Sequence, residues 1–331
     1  LGGAGGDARG APVEFMRRTE ILRQFGPRGL ADYAPAYGGL GMITDDTQMT
    51  LFTAEGLLRA WVRGTLKGIT SYSGVTSLAY LRWLRTQGER PAFDSGMGTE
   101  ADGWLFQQRA LHSLRAPGNT CLSALRAMQQ TGEPARNNSK GCGGVMRVAP
   151  AGLFAWRVGK QDALPDAFRL GTDLAALTHG HPTGALTGGV LAVLVLALTD
   201  GASLPEALAA AKSLLRGERD HEETLQALEQ AEALAASDIP HPEAITRLGQ
   251  GWVAEEALAI SVYCALVARN FKHGVLLAVN HDGDSDSTGA ITGNLLGAQL
   301  GIKAIPAKWL EQLELREVIE EIATDLYEFP E

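Results

Sequence analysis

The sequence predicts an all-α fold: one compact multi-helix domain over residues 1–331, with a cleft where helix ends converge. Two observations carry this. Apolar residues recur at helical spacing through most of the chain, and the alternating Val/Ile/Thr/Tyr runs that mark strands are nearly absent. The Gly-, Asp- and His-bearing segments lie between the periodic stretches, where helix ends would expose them together. Taken in order, Gly2–Glu14 has small residues about four apart, the pattern of a helix packed tightly in a core, with Asp7 and Glu14 its only acids. Met49, Phe52, Leu57, Leu58 and Trp61 then follow Thr44-Asp45-Asp46, a hydroxyl cap with acids in the first turn. The apolar run Ala185–Leu198 falls short of the roughly 20 residues needed to span a bilayer, so it reads as a buried core helix. Leu204–Leu215, Glu223–Ala236, Trp252–Asn270 and Glu311–Tyr327 read as further helices, and Gln87–Met97 and Ser237–Gln250 as long loops punctuated by Gly and Pro. Through the last apolar segment, Ala290–Leu300, Gly289, Gly293, Gly297 and Gly301 form a stripe. Each costs up to ~1 kcal/mol of helix propensity relative to Ala, which makes sense where another helix backbone crosses very closely.

The 331 residues are 45% hydrophobic and 20% charged, enough apolar content for a sizeable core and too much for a disordered chain. A net charge of −9 argues against nucleic acid as partner, because phosphate backbones require a basic surface. Cys121, Cys142 and Cys264 are odd in number and widely spaced, so they offer neither a disulfide framework nor a CxxC zinc site. No basic stretch followed by an apolar one opens the sequence. A cytoplasmic protein with no membrane partner is the expectation.

Five segments carry chemistry. Thr44-Asp45-Asp46-Thr47 places two carboxylates and a hydroxyl at a helix start, where they either cap the helix or coordinate a hard divalent cation. Asp282, Asp284 and Asp286 alternate before the glycine-striped helix; counting from Asp282, Ser287 and Gly293 stand where a calcium loop needs Gly and Glu, so an EF-hand fails. Carboxylates this close repel one another without a cation. Lys140–Arg147 is a Gly-rich stretch able to approach a pyrophosphate, although it lacks both the P-loop and the Rossmann spacing. Cys142 within it reads as a packing residue, since no Cys–His–acid pattern surrounds it. Thr178-His179-Gly180-His181 offers two histidines without a third zinc ligand, and His179 reads as a ligand contact or helix cap. The fifth segment is Gly2–Glu14.

Together these segments resemble the ADP-ribosylglycohydrolase family, in the family's order and over nearly the whole chain. The matching stretches are Gly-Asp-x-x-Gly-x-Pro-x-Glu at 6–14, Thr-Asp-Asp-Thr at 44–47 and Gly-Gly-x-Met-Arg at 143–147. Thr-His at 178–179, Gly-x-Gly-x-x-x-Glu-Glu at 249–256 and Gly-Asp-Ser-Asp-Ser at 283–287 complete them. The resemblance implies an all-α fold with a binuclear Mg²⁺ centre, Mn²⁺ being acceptable to the same oxygens. It implies Thr44, Asp45 and Asp46 on one metal and Asp284, Asp286 and Ser287 on the other, Asp286 bridging. Glu14, Asp46 and Asp286 would then serve the chemistry. The loop of Gly141, Cys142, Gly143, Gly144, Val145, Met146 and Arg147 would cradle the diphosphate and distal ribose, with His179 touching the ligand and Gly251 and Trp252 on the adenosine side. In one branch of the family an Asp shortly before Gly-Asn-Thr assists ribose ring opening; here Leu114–Thr120 holds no acid, and Asp102 is distant in sequence.

The implied activity is hydrolytic removal of ADP-ribose from a modified protein side chain, most simply arginine, because an acidic cleft favours a guanidinium. An O-linked substrate such as ADP-ribosyl-serine is the alternative. Other readings are a metallophosphoesterase, a helical metal-binding protein, or a binding or immunity protein that neutralises an ADP-ribosylating toxin. The implied partners are accordingly the ADP-ribosylated protein, ADP-ribose and an ADP-ribosyltransferase or toxin.

Overall fold

The structure is a computed structural model that describes residues 1–92, 102–159 and 163–329. Among the described residues it is built from α-helices and four one-turn 3₁₀ segments; the only β pairings are two isolated bridges, Ala36–Gly39 and Gly141–Val253. The N-terminal third holds α1 (Gly2–Gly10), α2 (Arg18–Phe25), α3 (Asp45–Lys67) and α4 (Tyr72–Thr86). The middle holds α5 (Asn119–Ala127), α6 (Ala149–Val158), α7 (Ala163–Ala176), α8 (Pro182–Thr199) and α9 (Leu204–Leu215). Then come α10 (Glu222–Ala235), α11 (His241–Leu248), α12 (Ala254–Leu266) and α13 (Phe271–Val279). The chain closes with α14 (Ser285–Leu300), α15 (Ala307–Gln312) and α16 (Arg316–Glu328).

The apolar run expected to be a core helix is α8. Every residue from Thr183 to Leu198 is buried, and the helix packs against α6, α7, α9, α12 and α14. Its length and hydropathy would suit a membrane span, but a helix apolar on all sides is equally what the centre of a bundle requires.

Beside it, α1 crosses α14 at backbone distance. A Cβ built on Gly2, Gly6 or Gly10 would overlap the backbone at Gly293, Gly289 or Ser285, and one on Gly293 would overlap the Gly2 carbonyl. The glycine stripe is therefore answered by a second one on α1. Gly301 stands apart from it: it caps α14 with a positive φ and has open space around it.

Two readings are corrected. Ser237–Gln250 is not all loop, because Pro242 opens the first turn of α11, a position where its missing N–H costs nothing. The helix expected over Glu311–Tyr327 is broken at Leu313–Leu315, where Leu315 takes a left-handed φ of 54°. Glu314 is held out of helical register by its N–H bond to the Gly41 carbonyl (3.0 Å) and its carboxylate bond to Arg115 (2.9 Å). The Gln87–Met97 loop follows α4 as expected as far as residue 92 and lies outside the described residues beyond that.

Candidate metal centre

Three chain segments deliver carboxylates to one place. The turn after α1 carries Glu14, the first turn of α3 carries Asp45 and Asp46, and the start of α14 carries Asp284 as N-cap and Asp286 within the first turn. All five are buried. Ligand atoms of Glu14, Asp284 and Asp286 lie within 4.8 Å of one another, and so do those of Asp45, Asp46 and Asp286. Asp286 belongs to both groups. The ends of two helices meet here, and the positive poles of both N-termini offset some of the repulsion.

The braces are local. Thr44 caps α3, its Oγ1 accepting from Asp46 N–H at 3.3 Å. Asp7 on α1 in turn accepts from Thr44 N–H (3.0 Å), Thr44 Oγ1 (2.8 Å), Thr47 N–H (3.1 Å) and Thr47 Oγ1, which ties the start of α3 to α1. Asp45 accepts from Gly118 N–H at 3.2 Å. Ser287 donates its Oγ to Asp46 (3.4 Å) and its N–H to Asp286 (3.0 Å). Buried His281 braces the acidic turn, with Nδ1 donating to the Asp282 carbonyl (2.8 Å) and Nε2 at 2.9 Å from Thr288 Oγ1.

The electrostatics are unbalanced. Among the described residues no ion pair engages any of the five carboxylates. Burial first, and the charge of Asp286 second, push Glu14 up to about 11 and hold Asp45, Asp46 and Asp284 well above the usual carboxylate range. Glu14 Oε2 and Asp46 Oδ1 are buried with no hydrogen-bond partner. Orphaned oxygens on clustered, desolvated acids fit a hard divalent cation, which takes oxygen ligands and supplies the missing charge.

The cluster forms one end of a cleft of about 440 Å³. Glu14, Asp45, Asp46, Asp284, Asp286 and Ser287 line it, together with Gly141, Cys142, Gly143, Met146, His179 and Trp252. A larger hollow of about 900 Å³ beside α6 and α7 is lined by Ser71, Tyr72, Phe154 and Arg169 among others, with Asp166 and Asp173 as its acids. Volume alone would choose that hollow; the convergent chemistry chooses the smaller cleft.

Some expected ligand contacts do not reach the cleft. Gly144, Val145 and Arg147 are buried outside its lining, whereas Met146 between them reaches it. Arg147 is fully buried; it donates to Thr178 Oγ1 (2.7 Å) and to the Leu174 carbonyl (3.2 Å), with its guanidinium over the Tyr80 ring. Gly251 lies just outside the lining but sets Trp252 beside the cluster, a Cβ there falling 3.4 Å from Asp284 Cβ. The Cys142 amide is used internally, bonding to the Trp252 carbonyl at 3.2 Å. Its thiol donates to Asp284 at 2.7 Å, and burial with the Asp284 charge keeps the thiol protonated, which suits a packing residue and not a nucleophile. Asp102 lies 3.7 Å from Arg59 in an ion pair.

Other residues at the site were not singled out from the sequence. Exposed Phe15 stacks on Trp252 at the mouth, ring centroids 5.8 Å apart and 18° from parallel. The Ala116–Cys121 stretch forms one wall. Ala116 turns there with a φ of 54°, and the Pro117-Gly118 pair beside it is the sequence signal of a bend.

The comparisons agree with this geometry. The family model described as ADP-ribosylglycohydrolase matches residues 1–330. The ADP-ribosyl-[dinitrogen reductase] glycohydrolase of Rhodospirillum rubrum is 27% identical over 96% of this chain and 89% of its own. The ADP-ribosylarginine hydrolase Tri1 of Pseudomonas putida is 25% identical over 99% of this chain and 76% of its own. A solved structure titled ADP-ribosylglycohydrolase-related protein complex superposes with a TM-score of 0.71 at 28% identity, covering 100% of this chain and 96% of that one. With a carboxylate cleft, an all-α frame and a family match over almost its whole length, the chain belongs to the ADP-ribosylglycohydrolase family.

Proposed function

We propose that the chain is a divalent-cation-dependent hydrolase that releases ADP-ribose from a modified protein side chain, with arginine as the linkage. The single observation that carries this is the sharing of Asp286 between two carboxylate groups that line the cleft. The relatives named for ADP-ribose removal, one of them for the arginine linkage, support the substrate class. Thr44, Asp45 and Asp46 would hold one Mg²⁺ and Asp284, Asp286 and Ser287 a second, Asp286 being the carboxylate common to both groups. Such ions would supply charge and polarisation for the ribose hydroxyls and the attacking water.

The chain's own residues do the rest. Positive charge grows on C1″ of the distal ribose as its bond to the guanidinium nitrogen stretches, and the surrounding carboxylates stabilise that charge. With bound cations offsetting the burial that keeps these acids protonated, Glu14, or in its place Asp46, would be ionised and take a proton from water as the C1″–O bond forms. That proton returns to the departing nitrogen. The loop of Gly141, Cys142 and Gly143 with Met146 lines the side of the cleft that takes the diphosphate. The acidity of the cleft favours a cationic guanidinium over a serine oxygen as leaving group. Release of ADP-ribose from arginine-linked and serine-linked substrates tests this: faster release from arginine is expected, and faster release from serine would overturn the linkage.

A further inference from the structure

We propose that Arg147 and Thr178 are positioning residues that fix His179 as the neutral imidazole carrying its hydrogen on Nε2. The cleft is thereby given a hydrogen-bond donor for a ligand oxygen. The proposal deepens the functional reading only in naming ADP-ribose as the source of that oxygen.

The chain of hydrogen bonds dictates the tautomer. Arg147 is buried, and a guanidinium only donates, so Thr178 Oγ1 must accept from it at 2.7 Å. Thr178 Oγ1 lies 2.8 Å from His179 Nδ1, and the Cys121 thiol is the other side chain it can reach. Were Nδ1 the protonated nitrogen, Thr178 would accept twice and could give its own hydrogen only to the Cys121 sulfur, a much weaker acceptor than an imidazole nitrogen. With the hydroxyl donating to Nδ1, its hydrogen goes to the stronger acceptor and the imidazole hydrogen moves to Nε2. Burial, and then the Arg147 charge, push the ring's basicity down to about 3, so it does not take a second proton at neutral pH.

Nε2 is free to act. No protein group bonds to it among the described residues, and His179 lines the cleft under the glycine loop. A Cβ at Gly141 would stand 3.3 Å from Nε2 and one at Gly143 would stand 3.5 Å away. Glycine at both positions keeps that N–H uncrowded. Its position suits an oxygen of the phosphates or sugars and not a donor group. Arg147 thus acts on the ligand through two side chains, although it lies outside the cleft.

Histidine-selective ¹⁵N labelling of the whole chain reads the tautomer directly, with the His179 signal identified by its loss in His179→Gln. The expected spectrum is a bare Nδ1 and a protonated Nε2, unchanged between pH 6 and 8. Thr178→Val should mix the tautomers and raise the Kd for ADP-ribose about tenfold, the loss of one well-placed hydrogen bond, while Thr178→Ser should restore both. A protonated Nδ1 in the parent protein would overturn the proposal. So would a Thr178→Val protein that keeps the parent tautomer and affinity. If ADP-ribose fails to bind the parent protein, the functional reading fails, and the ligand-free spectrum still decides the tautomer.

Discussion

Substituting Gly6 by Ala, with Gly5→Ala as its control, tests how the carboxylate-bearing helix ends are held together. Both positions lie in α1, so both changes gain the same helix propensity, about 1 kcal/mol. Their surroundings differ. A Cβ at Gly5 meets only the Tyr33 hydroxyl at 3.8 Å, an ordinary contact. A Cβ at Gly6 overlaps the Gly289 carbonyl and sits 3.1 Å from Ala290 N, both backbone atoms of α14 that cannot rotate away. Overpacking of this kind costs about 1–3 kcal/mol, and rigid backbone places it at the upper end. Gly6→Ala is therefore expected to lose about 2 kcal/mol net and Gly5→Ala to gain about 1 kcal/mol. At roughly 2 °C per kcal/mol for a chain of this size, the Tm values separate by about 6 °C in a thermal melt. Because Asp7 and Asp286 ride on these two helices, Gly6→Ala should also weaken Mg²⁺ binding, read by titration calorimetry. A Gly6→Ala protein as stable as Gly5→Ala would refute the close crossing.

Three further expectations follow from the same residues. Gly10→Ala presses on Ser285 and Asp286 N and should cut Mg²⁺ affinity at least tenfold; unaltered calorimetric affinity would count against it. Burial raises the folded-state Glu14 carboxyl from near 4.5 to about 11, so its contribution to stability is present below about 4.5 and lost as pH rises toward the folded value. Chelated protein should accordingly melt lower at pH 8 than at pH 6 and Mg²⁺ should narrow the gap, whereas an equal or higher Tm at pH 8 without metal would contradict this. Glu314→Ala leaves Arg115 half-supported at Ile43, beside the cap of α3; a loss of about 3 kcal/mol is expected in urea unfolding, and a midpoint within error of the parent would show the pair to be dispensable.

The acids were legible because carboxylates adjacent at the start of α3 and two apart at the start of α14 serve either as helix caps or as cation ligands. Thr44, Asp45 and Asp46 lie in one chain segment and Asp284 and Asp286 in another, and the glycine stripe tells only that α14 is crossed closely. What sequence could not tell is which way a side chain points. Arg147 sits one residue beyond Met146, yet Met146 lines the cleft while Arg147 is buried outside its lining on Thr178. Glu14 was visible as one of two acids, but α1 stops at Gly10, and the turns beyond it, not helical periodicity, bring Glu14 to Asp286. Asp7 gave no sign of its four hydrogen bonds, since its partners are 37 to 40 residues away. Proline misled at 237–250, where it opens a helix as readily as it ends one.

The most direct measurement follows ADP-ribose release from an arginine-ADP-ribosylated protein, with Mg²⁺ or chelator, for the parent chain and Asp286→Ala. Release that requires Mg²⁺ and falls by about three orders of magnitude in Asp286→Ala is expected, since pre-set electrostatics dominates such rates. Release that persists in chelator, or at the parent rate in Asp286→Ala, would contradict a metal-dependent site built around Asp286.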